Sequence, residues 1–506
     1  MKNPFKKLVF LTSVFAISSS AYASDENRPA FETKKLYKEH CASCHGENRL
    51  GAMGPALLPG NLSRLRKPSA VNVITNGRAA TQMPAYGATL SKEEIVALAD
   101  YIYTKPAIKP SMTMAEMKAT HTIFKEAHDL VKAPKYNADP LNLFVVVESG
   151  DHHVTILDGD SFEPLDRFKS HFALHGGAKF SPDGRFTYLA SRDGWISKYD
   201  MWGLEKVAEI RAGINTRNIA TSPDGKYVAV GNYLPHNLVI LDAESLEPVQ
   251  EIAAVSAEGQ SSRVSAVYSA PPRKGLVVAL KDVPEAWELT EAKPGEKGPI
   301  KVKRIKLHDY LDDFMFDQKY ELILGASRGG KGGQAIEIST GRKISDLPLE
   351  GMPHLGSGIT WDWQDTKVFA TPHLRADRIS VIDMSTWKIV KVIETGGPGF
   401  FMRSHENSPY VWADVFFGPN KDKLYVIDKK SLEIVKTLIP EPGKTGAHVE
   451  FTRDGKYALV SILEQDGALV IYDAGTLKEV KRLPMKRPVG KYNVYNKIHF
   501  SEGTSH

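Results

Sequence analysis

The sequence predicts an α plus all-β protein in which a small helical domain precedes an eight-bladed β-propeller. Two observations carry this prediction. The chain of 506 residues has only two cysteines, and both lie in one short motif near the N-terminus. From about residue 140 onward, turn and strand motifs return every 41 to 47 residues, a spacing typical of four-stranded propeller blades. The hydrophobic and charged fractions, 42% and 25%, are those of an ordinary globular protein.

The first 23 residues have the three regions of a secretory signal peptide. Lys2, Lys6 and Lys7 precede an apolar run from Leu8 to Ile17, and Ala21-Tyr22-Ala23 supplies the small-x-small pattern of the cleavage point. The apolar run is shorter than the roughly 20 residues that span a bilayer. We therefore expect residues 1–23 to be removed and the mature chain to be periplasmic, without a membrane span. Loss of the three lysines takes the formal net charge from +5 to +2, which gives nucleic-acid binding no support.

Residues 24–106 are predicted to form a cytochrome c domain. Cys41-Ala42-Ser43-Cys44-His45 is the C-x-x-C-H pattern of covalent haem attachment. The thiols of Cys41 and Cys44 would add to the two vinyl groups of one haem c, and His45 would bind its iron. A zinc site would need further soft ligands, and the chain has no other cysteine. A thioredoxin-like pair is the other alternative, but the adjacent histidine favours haem.

The second axial ligand of this haem is expected from a methionine of the same domain. Met83 stands in Thr81-Gln82-Met83-Pro84, before an amphipathic segment from Lys92 to Tyr103, and Met-Pro ahead of a helix resembles the distal loop of cytochromes c. Met53 is the alternative, but it follows His45 by only eight residues, in a loop that would have to cross the haem tightly. Met83 is therefore favoured, and a thioether ligand raises the iron potential relative to bis-histidine ligation.

Residues 107–135 are predicted as a helical linker and residues 136–506 as the propeller. Ser181-Pro-Asp-Gly184 returns as Ser222-Pro-Asp-Gly225 and as Thr452-Arg-Asp-Gly455. A second marker is an apolar strand that ends in an aspartate before a turn. It occurs at Asp158, Asp200, Asp242, Asp383, Asp428 and Asp473. Intervals of 42 to 47 residues place eight such units along the chain, and eight blades close a ring without a free edge.

The position of a histidine relative to these turns indicates whether it faces the propeller axis. The innermost strand of a blade starts near the axis and runs to the turn, so residues four to eight positions before the turn lie where a central ligand would bind. His175, His354 and His448 satisfy this condition, as does Arg217. By position alone, each histidine is equally consistent with an ordinary hydrogen-bonded residue.

A c-type haem motif followed by eight blades with axial histidines resembles the cytochrome cd1 family over essentially the whole mature chain. The segments that carry the resemblance are Cys41-Ala-Ser-Cys-His45, Leu174-His-Gly176, Ser191-Arg-Asp-Gly194, Thr216-Arg-Asn-Ile219, Pro353-His-Leu-Gly356 and Gly490-Lys-Tyr-Asn-Val-Tyr-Asn496. The resemblance implies a non-covalent haem d1 in the propeller, with His175 as the proximal and His354 as the distal iron ligand. Arg192 and Arg217 are expected to bind the tetrapyrrole carboxylates, which guanidinium groups bind bidentately.

Two departures separate the chain from the nitrite reductases of this family. Those enzymes have two distal histidines, and the segment matching the first, Val264 to Arg273, contains none here. They also lack a histidine at the position of His448. The resemblance therefore points to the dehydrogenase branch of the family, which oxidises a propionate side chain of dihydro-haem d1 to an acrylate and so completes haem d1 biosynthesis.

That oxidation needs a base for an unacidic C–H bond and a sink for two electrons. His448 is the expected base. By the resemblance, Tyr492 lies beside the same carbons as a positioning group or proton relay; otherwise it is a packed tyrosine of the last strand. Electrons would leave through haem c to a periplasmic acceptor, and a nitrite reductase is a candidate recipient of the product. Two alternatives stay open: a nitrite reductase and a non-catalytic haem d1 carrier.

Overall fold

The computed structural model describes residues 30–51, 54–62, 65–77, 83–107, 109–174, 177–292, 297–326 and 332–499. The expected signal peptide, Met53 and His175 lie outside the described residues. Their predicted roles therefore stay predictions.

The N-terminal domain is helical, and its longest helices enclose one apolar core. The helices are Ala30–His40, Ala42–His45, Lys67–Asn76 and Lys92–Ile102. The last of these begins at Ser91, whose hydroxyl accepts from the backbone N–H of Glu94 while the Glu94 carboxylate accepts from the N–H of Ser91. This helix contributes Ile95 and Leu98 to the core. It ends one residue before the boundary that the sequence predicts.

Eight antiparallel sheets follow, and they confirm the predicted propeller. In chain order the strands of blades 1 to 4 are Leu143–Glu148, His153–Asp158 and Pro164–Lys169; Lys179–Phe180, Phe186–Ala190, Trp195–Asp200 and Glu205–Arg211; Asn215–Thr221, Tyr227–Leu234, Asn237–Asp242 and Pro248–Ala253; and Val264–Ala270, Gly275–Leu280, Glu285–Glu291 and Ile300–Lys306. Those of blades 5 to 8 are Asp313–Phe316, Leu322–Ala326, Gly333–Glu337 and Lys343–Leu347; Ile359–Trp363, Thr366–Pro372, Arg378–Asp383 and Lys388–Glu394; Met402–Ser404, Tyr410–Asp414, Leu424–Asp428 and Ile434–Leu438; and Gly446–Phe451, Tyr457–Ile462, Gly467–Asp473 and Glu479–Met485.

The C-terminal strand closes the ring. Pro488–Asn493 pairs antiparallel with Leu143–Glu148, so that blade 1 contains both ends of the propeller chain. The register sets Lys491 opposite Val146 and Tyr492 opposite Val145. Both residues are therefore carried on the innermost strand of blade 1, followed by a short helix, Val494–Ile498.

The recurring turn motif has a local physical cause. The hydroxyl of Ser222 lies 2.6 Å from the Asp224 carboxylate and accepts from the backbone N–H of Tyr227 at 3.0 Å. Gly225 has φ +73°, in the left-handed region where glycine is favoured. These bonds join the innermost strand to the next one. They explain why Ser-Pro-Asp-Gly marks the end of the strand that begins near the axis.

The segment from 107 to 135 contains less helix than the sequence suggests. It holds one five-residue helix, Met114–Lys118, a 3-10 turn, Ala127–Asp129, and a two-residue strand, Thr122–Ile123, that pairs with the outer strand of blade 2. Met112 and Met117 of this segment pack into an apolar cluster with blades 2 and 3. The described part of the chain contains no helix long and apolar enough to cross a membrane.

Arg211 of blade 2 makes hydrogen bonds across the interface with the helical domain. The Arg211 guanidinium donates to the carbonyl oxygens of Leu50, at 2.5 Å, and Gly51, at 3.2 Å, in the loop after the C-x-x-C-H motif. Its Nε donates to the carbonyl of Asp193 at 2.8 Å. Because Ala56 and Leu58 also join the apolar cluster of the first propeller blades, the two domains share a packed interface.

Candidate functional site

The C-x-x-C-H residues form a compact haem-attachment geometry. Cys41 precedes a single helical turn that carries Cys44 and His45, and both thiols are half-buried. The Nδ1 atom of His45 lies 2.8 Å from the carbonyl oxygen of Pro55. Because a carbonyl can only accept, Nδ1 carries the proton and Nε2 keeps the lone pair that an iron ligand needs.

The backbone at Gly54 passes directly against the His45 ring. A Cβ atom at Gly54 would lie 2.8 Å from Cε1 of that ring, so no side chain fits without displacing it. Burial also lowers the pKa of His45, which favours the neutral imidazole. The residues therefore fit a covalent haem c: two thiols, one oriented imidazole and a close backbone wall.

Met83 packs against the apolar core of this domain, among residues that include Tyr37 and Leu98. We predict that Met83→His lowers the midpoint potential of haem c and removes the sulfur-to-iron charge-transfer band from the ferric spectrum, because an imidazole replaces a thioether. Redox titration and visible spectroscopy test this. Loss of that band in Met53→Ala with retention in Met83→Ala would assign the ligand to Met53 instead.

A cavity of about 740 Å³ lies at the centre of the propeller. The innermost strands of blades 1 to 5, 7 and 8 contribute to its wall, and the loop that leads into blade 6 covers part of it. Its volume is in the range of small-molecule and cofactor sites. Of the residues proposed from sequence, Arg217, His354, His448 and Tyr492 line it.

His354 presents one oriented nitrogen to this cavity. Its Nδ1 lies 2.7 Å from the carbonyl oxygen of Phe400 and 2.6 Å from the hydroxyl of Ser357. The carbonyl requires the proton on Nδ1, so the lone pair is on Nε2, which lies 3.7 Å from the Asp313 carboxylate. The backbone N–H of His354 donates to the carbonyl of Pro372 at 2.9 Å. This is the tautomer that an iron ligand needs.

His448 also lines the cavity, and its ring lies between two aromatic rings. Its ring centroid is 4.7 Å from that of Phe401 and 5.4 Å from that of Tyr492. Its Nδ1 is buried and has no hydrogen-bond partner among the described residues. Burial, with the positive charges of Lys491 and Arg403, holds the pKa of His448 well below its usual range. The imidazole is therefore neutral at neutral pH and able to accept a proton.

The side chain of Tyr492 packs closely against the backbone of two glycines. A Cβ atom at Gly177 would lie 2.8 Å from Cε1 of the tyrosine ring, and one at Gly490 would lie 2.4 Å from its hydroxyl oxygen. Burial raises the pKa of Tyr492 to about 12. The phenol therefore stays protonated at neutral pH and can donate a hydrogen bond.

The cavity wall carries more positive than negative charge. Its basic residues are Lys179, Arg217, Arg403, Arg487 and Lys497, and its acidic residues are Asp312 and Asp313. Burial lowers the pKa of Lys179 to about 8. An excess of cations in a partly buried cavity suits a ligand with several carboxylates. Arg192 is not among the described residues of the wall; its backbone bonds to Ala173 and Thr216, and its predicted role stays a prediction.

Sequence reasoning missed several residues of this wall. Lys179 and Arg403 lie on innermost strands but close to the strand ends, Lys179 two residues before Ser181 and Arg403 one residue before Ser404. The window of four to eight positions before the turn therefore excluded both. Tyr268 donates to Asp313 at 2.8 Å, a pairing between two blades that no spacing in the sequence indicates. Asp414 was missed as well, because its carboxylate bonds to backbone groups and no sequence pattern marks such contacts.

Comparison with known proteins places two family matches on the two domains. Residues 138–497 match the family described as cytochrome D1 heme domain. Residues 29–102 match the family described as cytochrome C oxidase, cbb3-type, subunit III. The first match covers most of the chain and coincides with the propeller.

Individual relatives cover nearly the full length. The chain is 56% identical to the dihydro-heme d1 dehydrogenase of Pseudomonas aeruginosa, over 93% of this chain and 95% of that protein. It is 27% identical to a nitrite reductase of Stutzerimonas stutzeri, over 92% of each. The solved structure of dihydro-heme d1 dehydrogenase NirN in complex with DHE superposes with a TM-score of 0.90 at 56% identity, covering 92% of this chain and all of that one.

Proposed function

The chain belongs to the cytochrome d1 heme-domain family, and on that basis we propose that it is the dehydrogenase that oxidises a propionate side chain of dihydro-haem d1 to an acrylate. The relative at 56% identity is named dihydro-heme d1 dehydrogenase, whereas the nitrite reductase is a distant relative. The observation that carries the proposal is the cationic central cavity, in which a neutral histidine, His448, stands beside a protonated phenol, Tyr492.

The reaction removes one hydrogen from each of two adjacent propionate carbons. Two protons and two electrons leave the substrate, and a C=C bond remains. His448 accepts one proton at its imidazole, and Tyr492 orients the side chain or passes the second proton towards water. Cys41, Cys44, His45 and Met83 would hold a haem c, which would supply a one-electron sink, and a periplasmic acceptor would be the final oxidant for the two electrons.

The substrate itself would be held by the chain's own side chains. His175 and His354 are the proposed iron ligands on its two faces, and the Nδ1–H of His354 is already committed to Phe400. Arg217, with Lys179 and Arg403, faces the carboxylates, since these three line the same wall. Arg192 is proposed as a further carboxylate ligand on the resemblance alone.

A direct assay tests the activity. Purified protein with its haem c is mixed with dihydro-haem d1 and a one-electron oxidant, and the tetrapyrrole is extracted for mass spectrometry at intervals. We expect a product two hydrogens lighter than the substrate, formed over repeated turnovers. Steady reduction of nitrite with an unchanged tetrapyrrole would support the nitrite reductase instead, and tight retention without any turnover would support the carrier.

The remaining parts of the proposal concern the protein's surroundings. A haem-c-containing chain with an expected signal peptide is proposed to act in the periplasm, where cytochromes of this type acquire haem. The proposed partners are the tetrapyrrole, a periplasmic electron acceptor and a nitrite reductase as recipient of the product.

A further inference from the structure

Two buried polar side chains hold the backbone of His448, one at its N–H and the other at its carbonyl oxygen. The Asp414 carboxylate accepts from the backbone N–H of His448 at 3.2 Å. On the other side, Nζ of Lys491 donates to the backbone carbonyl of His448. Asp414 is 1% exposed and Lys491 is fully buried, so water does not compete for these two hydrogen bonds.

The backbone at this position is one that side chains rarely adopt. His448 has φ +52°, in the left-handed region that favours glycine. The strand pairing of blade 8 also slips between Ala447 and Glu450, which marks a β-bulge. Bulges and strained residues of this kind persist only where the surroundings hold them, and they re-aim a side chain. Here the re-aimed side chain is the imidazole that faces the cavity.

The same carboxylate also reaches the segment that supports His354. One Asp414 oxygen, Oδ1, accepts from the backbone N–H groups of Phe400, at 2.8 Å, and Phe401, at 3.0 Å, while Oδ2 faces His448. The carbonyl oxygen of Phe400 in turn accepts from Nδ1 of His354. One buried side chain in blade 7 thus connects two histidines of the cavity wall, His354 and His448.

We infer that Asp414 and Lys491 are positioning residues that hold His448 in its strained, cavity-facing conformation. This inference rests on the proposed function, because the imidazole must meet a propionate carbon. The rate of proton transfer to a positioned base falls steeply when the base moves by about 1 Å. Asp414 and Lys491 act through the backbone and do not touch the substrate.

Two variants of Asp414 and one of Lys491 separate the contact with His448 from the contact with the Phe400 segment. In Asp414→Asn the amide oxygen can still accept from Phe400 and Phe401, but an NH₂ group then faces the N–H of His448. We expect kcat to fall on the order of tenfold or more with KM, dihydro-haem d1 affinity and its bound iron spectrum unchanged. Lys491→Met should behave in the same way. Asp414→Ala should lower kcat and also alter the iron spectrum, because the Phe400 segment and His354 lose their support.

Asp317→Asn is the matched control. Asp317 is also a buried carboxylate that accepts two backbone N–H groups, those of Glu321 and Leu322, but it lies outside the described cavity wall. We expect this variant to keep wild-type kcat. Equal rates in Asp414→Asn, Lys491→Met and wild type would overturn the inference, as would losses that Asp317→Asn reproduces.

A second readout does not depend on turnover. Carbethoxylation of His448 in protein with haem c but without tetrapyrrole, measured by peptide mass spectrometry, should be several-fold faster in Lys491→Met and Asp414→Asn than in wild type and Asp317→Asn. If wild type fails to oxidise dihydro-haem d1, the proposed function fails, and this reactivity still decides whether His448 is held. Unchanged reactivity in every variant that folds would reject the positioning role.

Discussion

Replacing His448 by glutamine should lower the rate of acrylate formation on the order of a hundredfold or more, the usual contribution of a positioned general base. That loss of rate corresponds to an increase of about 2.7 kcal/mol in the activation free energy. Glutamine fills similar space but has no basic nitrogen, whereas His448 lines the cavity and its Nδ1 has no partner among the described residues. The mass of the extracted tetrapyrrole over time measures the rate.

Binding should survive this change, because His448 is not a proposed iron ligand. We expect the haem c spectrum and the affinity for dihydro-haem d1 to stay close to wild type. Tyr492→Phe should be milder, since it removes the hydroxyl but keeps the ring between Gly177 and Gly490. His236→Gln is the control: this histidine bonds to Ser261 and lies outside the described wall. Wild-type acrylate formation by His448→Gln would end the assignment of His448 as the base.

The fold was predictable because its determinants repeat along the chain. The turn of Ser222 and Asp224 is bonded within a few residues, and such local chemistry is visible in a sequence. The closing strand was not predictable from the repeat, because Pro488–Asn493 pairs with the first blade across the whole propeller. Its position follows from closure of the ring, which removes both sheet edges.

The site was predictable where a residue's distance from its turn fixes its distance from the axis. That argument placed His354, His448 and Arg217, and all three line the cavity. It could not find Asp414, which ends the second strand of blade 7 and acts by accepting backbone N–H groups from two other segments. Contacts between blades depend on how the ring closes, so no local pattern reports them.

A buried ion pair beside the cavity shows how stability and the site depend on the same segments. Arg403, on the innermost strand of blade 7, donates to Glu450 of blade 8 through Nη2 at 2.7 Å and Nε at 3.2 Å. The two side chains are 4% and 1% exposed. Glu450 also accepts from Asn496 of the C-terminal helix at 3.1 Å. The pair therefore joins the strand that carries His448, and its neighbour in blade 7, to the C-terminal helix.

Glu450→Gln should lower the free energy of unfolding by about 3–5 kcal/mol, the usual loss when one partner of a buried pair is removed. The Arg403 guanidinium would keep its charge without its partner, near Lys179 and Lys497, whose pKa values burial and Arg403 already lower. Urea unfolding followed by tryptophan fluorescence measures the loss. The double variant Glu450→Gln with Arg403→Met should recover most of it, because no buried charge is left unpaired.

The same pair predicts how stability depends on pH. Burial raises the pKa of Glu450, but Arg403 and Lys497 more than offset this and hold it below its usual value of 4.5. A carboxylate with a lowered pKa stabilises the folded state fully above the unfolded value, and that contribution is lost as the pH falls through the folded value. Wild type should therefore lose stability relative to Glu450→Gln below about pH 4.5, so that the two unfolding curves converge in acid. Parallel curves from neutral pH down to acid would show that folding does not lower the pKa of Glu450.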